Sequence, residues 1–216
     1  MEKAKKIILF DLDGTLTDSA EGILKSVRMV LDHYGIEVPE NDPLHAFIGP
    51  PLRATFPAYG VPRDEVENAV KLYRKRYFSV GKFENTPYPG VEALLTRLRD
   101  AGYRLYVATS KPEDLAVEIL QHFDLAKYFD LICGARIDGG RDSKEKVIAY
   151  LFETVGARTE ALMIGDTAFD VLGAKENGIP AIGVTWGYGD VDAMREAGAI
   201  AIASTMDELF TMIENA

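Results

Sequence analysis

The chain is poor in cysteine, in cationic side chains and in long apolar runs. A single cysteine, Cys133, among 216 residues excludes an intrachain disulfide and fits a reducing compartment. It lies in the apolar stretch Leu131-Ile132-Cys133, where a small buried hydrophobe is the ordinary reading of a lone thiol. Lysine and arginine total 24 against 34 aspartates and glutamates, a formal net charge of -10. That balance argues against general binding to nucleic acid or an anionic membrane, because no surplus of cations exists to engage phosphates. One small phosphate ester needs only a local positive site and stays open. No apolar run approaches the roughly 20 residues that a membrane-spanning helix needs. The charged start, Met1 to Lys6, is followed by only four apolar residues. That is too short for the core of a secretory signal, so a cytoplasmic location is expected.

What is present is an ordinary globular composition, 47% hydrophobic and 27% charged, on a chain long enough for one large core or a core plus an insert. Two textures alternate along it. From about residue 87 onward, short apolar runs are separated by helical patterns. Strands are expected at Ile7 to Phe10, Leu105 to Ala108, Leu131 to Cys133, Ala161 to Ile164, Ala181 to Val184 and Ile200 to Ile202. Helices are expected between them, including Pro112 to Gln121, Lys144 to Val155 and Phe169 to Asn177. Such alternation implies an α/β fold, a doubly wound parallel sheet covered by helices on both faces. Ligands of such sheets bind beyond the carboxyl ends of the strands. The segment from about Asp18 to Asn85 has helical periodicity only, with stripes at Ile23, Val27, Val30, Leu31 and at Val66, Val70, Tyr73, Tyr77. It reads as a helical insert after the first strand. The expected organisation is a core of residues 1–17 and 87–216 and a helical cap of residues 18–86.

The strand ends carry the chemistry. Ile7-Ile8-Leu9-Phe10 reads as a strand buried on both faces, yet it runs into Asp11-Leu12-Asp13-Gly14-Thr15. Residues two apart in a strand point the same way, so two carboxylates would crowd one spot and repel unless a cation or shared proton offsets them. Ala161 to Ile164 ends in Gly165-Asp166-Thr167-Ala168-Phe169-Asp170, which adds two more acids. The cluster demands positive charge, and a hard divalent cation fits oxygen ligands. Leu105 to Ala108 ends in Thr109-Ser110-Lys111-Pro112. A helix start directly after Thr109 and Ser110 would offer hydroxyls and N–H groups to an anion, or simply an N-cap. Lys144 opens a helix at the end that disfavours positive charge. Lys146 competes for the same role, and Lys111 is less specific.

The string Asp11-Leu-Asp-Gly-Thr-Leu-Thr-Asp-Ser resembles the first motif of the haloacid dehalogenase superfamily, in its phosphatase branch. Thr109, Lys144 and Gly165-Asp166 through Asp170 resemble the second, third and fourth motifs in order. Phe47-Ile-Gly-Pro-Pro and Val184-Thr-Trp-Gly-Tyr-Gly are similar to stretches of members like phosphoglycolate phosphatase and 5'-nucleotidase, which carry a small helical cap. Thr167 departs from the arginine of many relatives, a change expected to alter the periphery of the site and to leave the acids in place. The resemblance implies a Rossmann-like core and a Mg²⁺-dependent phosphatase. It gives Asp11 as nucleophile and Asp13 as acid and base. Asp11, the Asp13 carbonyl, Asp166 and Asp170 would serve the metal, and Thr109, Ser110 and Lys144 the phosphoryl group. Arg53 is the candidate for the substrate's far end, with a solvated helix arginine as the plain alternative. Hinges are expected near Asp18 to Ala20 and Asn85 to Pro89. The expected partner is a small phosphorylated metabolite, bound by a monomer or homodimer. Pyrophosphatase and phosphomutase chemistry share the fold. Dehalogenation needs neither Asp13 nor Asp166, and a binding protein without activity would be expected to have lost one of Asp11, Asp13, Lys144 or Asp166, none of which is missing.

Overall fold

The computed structural model describes residues 6–39, 44–136, 138–156 and 160–216. In chain order the elements are β1 (Ile7–Phe10), β2 (Thr17–Asp18), α1 (Ala20–His33), α2 (Leu52–Ala58), α3 (Val66–Ser79), β3 (Thr86–Pro87), α4 (Val91–Asp100), β4 (Arg104–Pro112) and α5 (Glu113–His122). They continue with β5 (Leu131–Ala135), α6 (Lys144–Val155), β6 (Ala161–Gly165), α7 (Ala168–Glu176), β7 (Ala181–Val184), α8 (Val191–Ala197), β8 (Ala201–Ala203) and α9 (Met206–Asn215). The chain divides into two compact units, one of residues 1–17 with 87–216 and one of residues 18–86.

The larger unit is built on a six-stranded sheet in the order β5-β4-β1-β6-β7-β8. Every neighbouring pair is parallel. Its strands read as continuous apolar runs because both faces are covered. Ile8 and Phe10 of β1 face one hydrophobic cluster with α4, α5 and α9, whereas Ile7 and Leu9 face another with α6, α7 and α8. Ile8, Leu9 and Phe10 are at most 1% exposed, and burial of each stabilises the fold by about 1.5–3 kcal/mol. Truncating Leu9 to Ala would cost roughly 2–5 kcal/mol through lost contacts and a cavity.

From β1 the chain builds the sheet outward on one side through β4 and β5, then returns through β6 on the other side. The order therefore reverses beside β1, and the crevice at such a reversal is where ligands of these sheets bind. Phe10 is in register with Val107 of β4 and Ile164 of β6. The next residue, Asp11, thus emerges between two strand ends, with its N–H donated to Ile164 O at 2.9 Å.

One strand departs from its sequence pattern. β4 continues four residues past Ala108, with a register shift between Ala108 and Pro112. Helix α5 starts at Glu113 with Pro112 as its N-cap residue, so Thr109 and Ser110 belong to an extended bulged strand and not to a helix start. Gly134 on β5 permits this, since a Cβ there would collide with the backbone of Lys111 and Glu113.

In the smaller unit, α1 buries Ile23, Val27, Val30 and Leu31, and α3 buries Val66, Val70, Tyr73 and Tyr77. Phe47 packs against Phe56 and Tyr59 at ring distances of 5.1 and 4.7 Å. Among the described residues, no helix is long and apolar enough to cross a membrane.

Candidate active site

The turn after β1 is shaped around Asp11 and Asp13. The N–H groups of Leu16 and Thr17 both return to Leu12 O, at 2.9 and 3.0 Å, and Gly14 N–H donates to Thr17 O at 2.8 Å. Gly14 has φ +83, which only glycine adopts without strain. A side chain at Gly14 would also overlap the Asp166 carboxyl. The first motif thus needs glycine for conformation and for space.

Asp166 follows β6 and is fully buried. Its Oδ1 accepts from Thr15 Oγ1 at 3.2 Å and its Oδ2 from Tyr188 N–H at 2.9 Å. Asp170 lies in the first turn of α7, where Oδ2 accepts from both Thr167 N–H and Thr167 Oγ1, at 3.0 and 2.8 Å. Thr167 thus caps α7, and its hydroxyl holds Asp170 directly. Carboxylate oxygens of Asp11, Asp166 and Asp170 all lie within 4.8 Å of one another, and all three residues are buried.

Lys144 sits in the middle of this charge. It is the first residue of α6 and 5% exposed. Its Nζ stands 2.7 Å from Asp11 Oδ1, 2.7 Å from Asp170 Oδ1, and donates to Ala108 O at 2.9 Å. A lysine at a helix start is unfavourable in isolation, and the two carboxylates offset that. Gly173 of α7 makes room for its stem. Lys146 instead pairs with exposed Asp142 at 2.7 Å. Of the two lysines left open by the sequence, Lys144 is the one whose ammonium pairs with Asp11 and Asp170.

Burial pulls the Lys144 pKa down, but the charges of Asp11 and Asp170 outweigh it and hold the ammonium above its ordinary value. Burial pushes the Asp166 carboxyl well up, and the neighbouring charges of Asp170 and Asp11 add to the rise. Asp170 is also raised, by burial first, against the pull of Lys144. One ammonium does not neutralise this cluster. Asp11 Oδ1 and Asp170 Oδ1 are buried and lack a hydrogen bond of good geometry, although each is ion-paired with Lys144.

Lys111 is a site residue that sequence reasoning undervalued. The bulge in β4 buries both Thr109 and Lys111 and exposes Ser110. Lys111 N–H donates to Thr109 Oγ1 at 3.2 Å, and Lys111 Nζ stands 2.7 Å from Asp13 Oδ2. When the aspartates at positions 11, 13, 166 and 170 are ionised, the two lysines leave two negative charges, which one divalent cation cancels. The all-oxygen donor set fits Mg²⁺, which uses few carboxylates and retains waters. Thr15 lies in the Asp11–Thr15 string, and Trp186 and Tyr188 in the string Val184–Gly189 that resembles other members; what the sequence did not give is their shared role around the Asp166 carboxyl. Arg53, in α2 of the smaller unit, pairs with Glu67 through Nε and Nη2 at 2.5 and 3.0 Å.

These strand-end acids, with a buried lysine between them, define a class of Rossmann-like hydrolase. A family model described as haloacid dehalogenase-like hydrolase matches residues 8–184, and the chain belongs to that family. It is 45% identical over 190 residues to a 5'-nucleotidase of Pseudomonas aeruginosa, covering 87% of this chain and 86% of that one. It is 42% identical over 210 residues to the tyrosine-protein kinase PtkA of Mycobacterium tuberculosis, covering 96% of this chain and 72% of that one. The crystal structure of a predicted phosphatase from Clostridium acetobutylicum superposes with a TM-score of 0.92 at 44% identity, over 99% of this chain and all of that one.

Proposed function

We propose that this haloacid dehalogenase-like phosphatase is a Mg²⁺-dependent hydrolase of small phosphate monoesters that works through an aspartyl-phosphate on Asp11. The carrying observation is the convergence of the Asp11, Asp166 and Asp170 carboxylates on a shared position beside Lys144. Asp11, the Asp13 carbonyl and Asp166 would hold the cation, with Asp170 supporting it. The bound cation lowers the repulsion between a phosphate dianion and the aspartates and stabilises the transferring group.

In the first step an Asp11 oxygen bonds to phosphorus while the ester P–O bond breaks. The departing oxygen takes its proton from the Asp13 carboxyl. In the second step water bonds to phosphorus, its proton passes to Asp13, and the Asp11–phosphorus bond breaks to release inorganic phosphate. Lys144, Thr109 and the Ser110 N–H would receive phosphoryl oxygens. The 5'-nucleotidase relative favours a nucleoside monophosphate, with phosphoglycolate second. The enzyme acts in the cytoplasm as a monomer or homodimer.

The test is phosphate release from p-nitrophenyl phosphate, phosphoglycolate, nucleoside monophosphates, sugar phosphates and pyrophosphate, with Mg²⁺ or with EDTA. Release from a monoester with Mg²⁺ alone supports the reading. Release from pyrophosphate only, or equal release in EDTA, contradicts it. The PtkA relative motivates one further arm, ATP with a tyrosine peptide. Peptide phosphorylation without monoester hydrolysis would replace the hydrolase reading.

A further inference from the structure

The segment after β7 is fastened to the metal-site carboxylate by its own backbone and by a relay from one side chain. Tyr188 N–H donates to Asp166 Oδ2 at 2.9 Å. Trp186 Nε1 donates to Thr15 O at 3.1 Å, and Thr15 Oγ1 donates to Asp166 Oδ1 at 3.2 Å. Both oxygens of Asp166 are thereby held, each by one donor, and a carboxylate oxygen has lone pairs to spare for a cation.

Three glycines lie directly against Asp166, two of them against its carboxyl. A Cβ on Gly187 would overlap the Asp166 carboxyl, and one on Gly189 would overlap the Asp166 carbonyl. A Cβ on Gly14, from the β1 turn, would overlap the same carboxyl. Backbone thus lies directly against Asp166 from two separate segments. A carboxyl so enclosed keeps one rotamer, and a ligand already in its bound orientation loses little freedom when a cation arrives.

We infer that the segment Trp186–Gly189 is a positioning element for the divalent cation: by fixing Asp166 it sets the affinity of the site for the metal. This rests on the reading of Asp166 as a metal ligand. Trp186 acts on Asp166 through Thr15, so it is a positioning residue. Its ring packs partly buried against the core cluster that contains Phe10 and Leu16. Trp186→Phe therefore keeps an apolar ring in place and removes the N–H.

The experiment is calorimetric titration of Mg²⁺ into metal-free wild type, Trp186→Phe and Gly187→Ala, with the metal-free melting midpoint of each. Groups that orient a metal ligand change affinity by about 10–100-fold. The Trp186→Phe variant should accordingly bind Mg²⁺ at least about 10-fold more weakly than wild type. Gly187→Ala, if it folds, should bind more weakly still. Equal affinity in wild type and Trp186→Phe overturns the inference, including the case where the metal-free midpoint drops, which marks a merely structural tryptophan. Absence of Mg²⁺ binding by wild type overturns the metal reading itself, and is distinguishable because no variant is needed to see it.

Discussion

Lys144 Nζ and Asp11 Oδ1 lie 2.7 Å apart in a buried setting, which ties the start of α6 to the end of β1. The same ammonium reaches Asp170 at 2.7 Å. Lys144→Met leaves three buried carboxylates facing one another with their cation gone. Breaking such a pair typically costs about 3–5 kcal/mol. Loss of one positioned charge at a reacting group lowers kcat by about 10²–10³-fold. The expected outcome is therefore a large fall in melting midpoint, recovered in part by Mg²⁺, together with a fall in kcat that Mg²⁺ does not recover. Thermal melts and steady-state kinetics at saturating Mg²⁺ check both.

Lys111 stands in the same relation to Asp13, at 2.7 Å, and predicts a different signature. If Asp13 carries the proton as proposed, a lysine that holds its carboxyl matters most when the leaving group needs a proton. Positioned acids contribute about 10²–10⁴-fold to such steps. Lys111→Met should slow hydrolysis of an alkyl phosphate more than that of p-nitrophenyl phosphate, whose leaving group departs as an anion. Equal losses on the two substrates would remove Lys111 from any link to proton transfer.

Cys133 gives a prediction about pH. Burial pushes its thiol from 9.0 up to about 12, and the charge of Glu113 adds to the rise. The folded state then holds this proton more tightly than the unfolded state does. Its contribution to stability is intact below about pH 9 and declines as pH rises from there toward 12. At pH 8 native protein should resist iodoacetamide, and urea-unfolded protein should react at once. Rapid alkylation of the native protein at pH 8 would contradict the buried, protonated thiol.

Much of the core was legible because the apolar runs of a sheet buried on both faces are self-announcing. α6 at Lys144–Val155 and β7 at Ala181–Val184 fall where periodicity puts them. The extension of β4 was not legible. Thr109-Ser110-Lys111-Pro112 has no apolar pattern, Pro112 suits a helix start, and the permission for the bulge comes from Gly134 on a different strand. Asp11, Asp13, Asp166 and Asp170 stood out because acids at the ends of buried strands need a reason. Lys144 and Lys146 could not be separated, because which face of a helix meets the sheet is a tertiary fact. The partners of Thr15 and Trp186 were hidden for the same reason: their bonds join residues 151 and 171 positions apart.

The central claim is a covalent phosphoryl group on Asp11. Rapid mixing of enzyme, Mg²⁺ and a hydrolysed monoester, followed by denaturation and borohydride, converts an acyl phosphate to an alcohol that peptide mass spectrometry locates. The account predicts reduction of residue 11 to homoserine, dependent on substrate and absent in Asp11→Asn, which should also lose turnover. Reduction at Asp13 or Asp166 instead, or full turnover by Asp11→Asn, would contradict it.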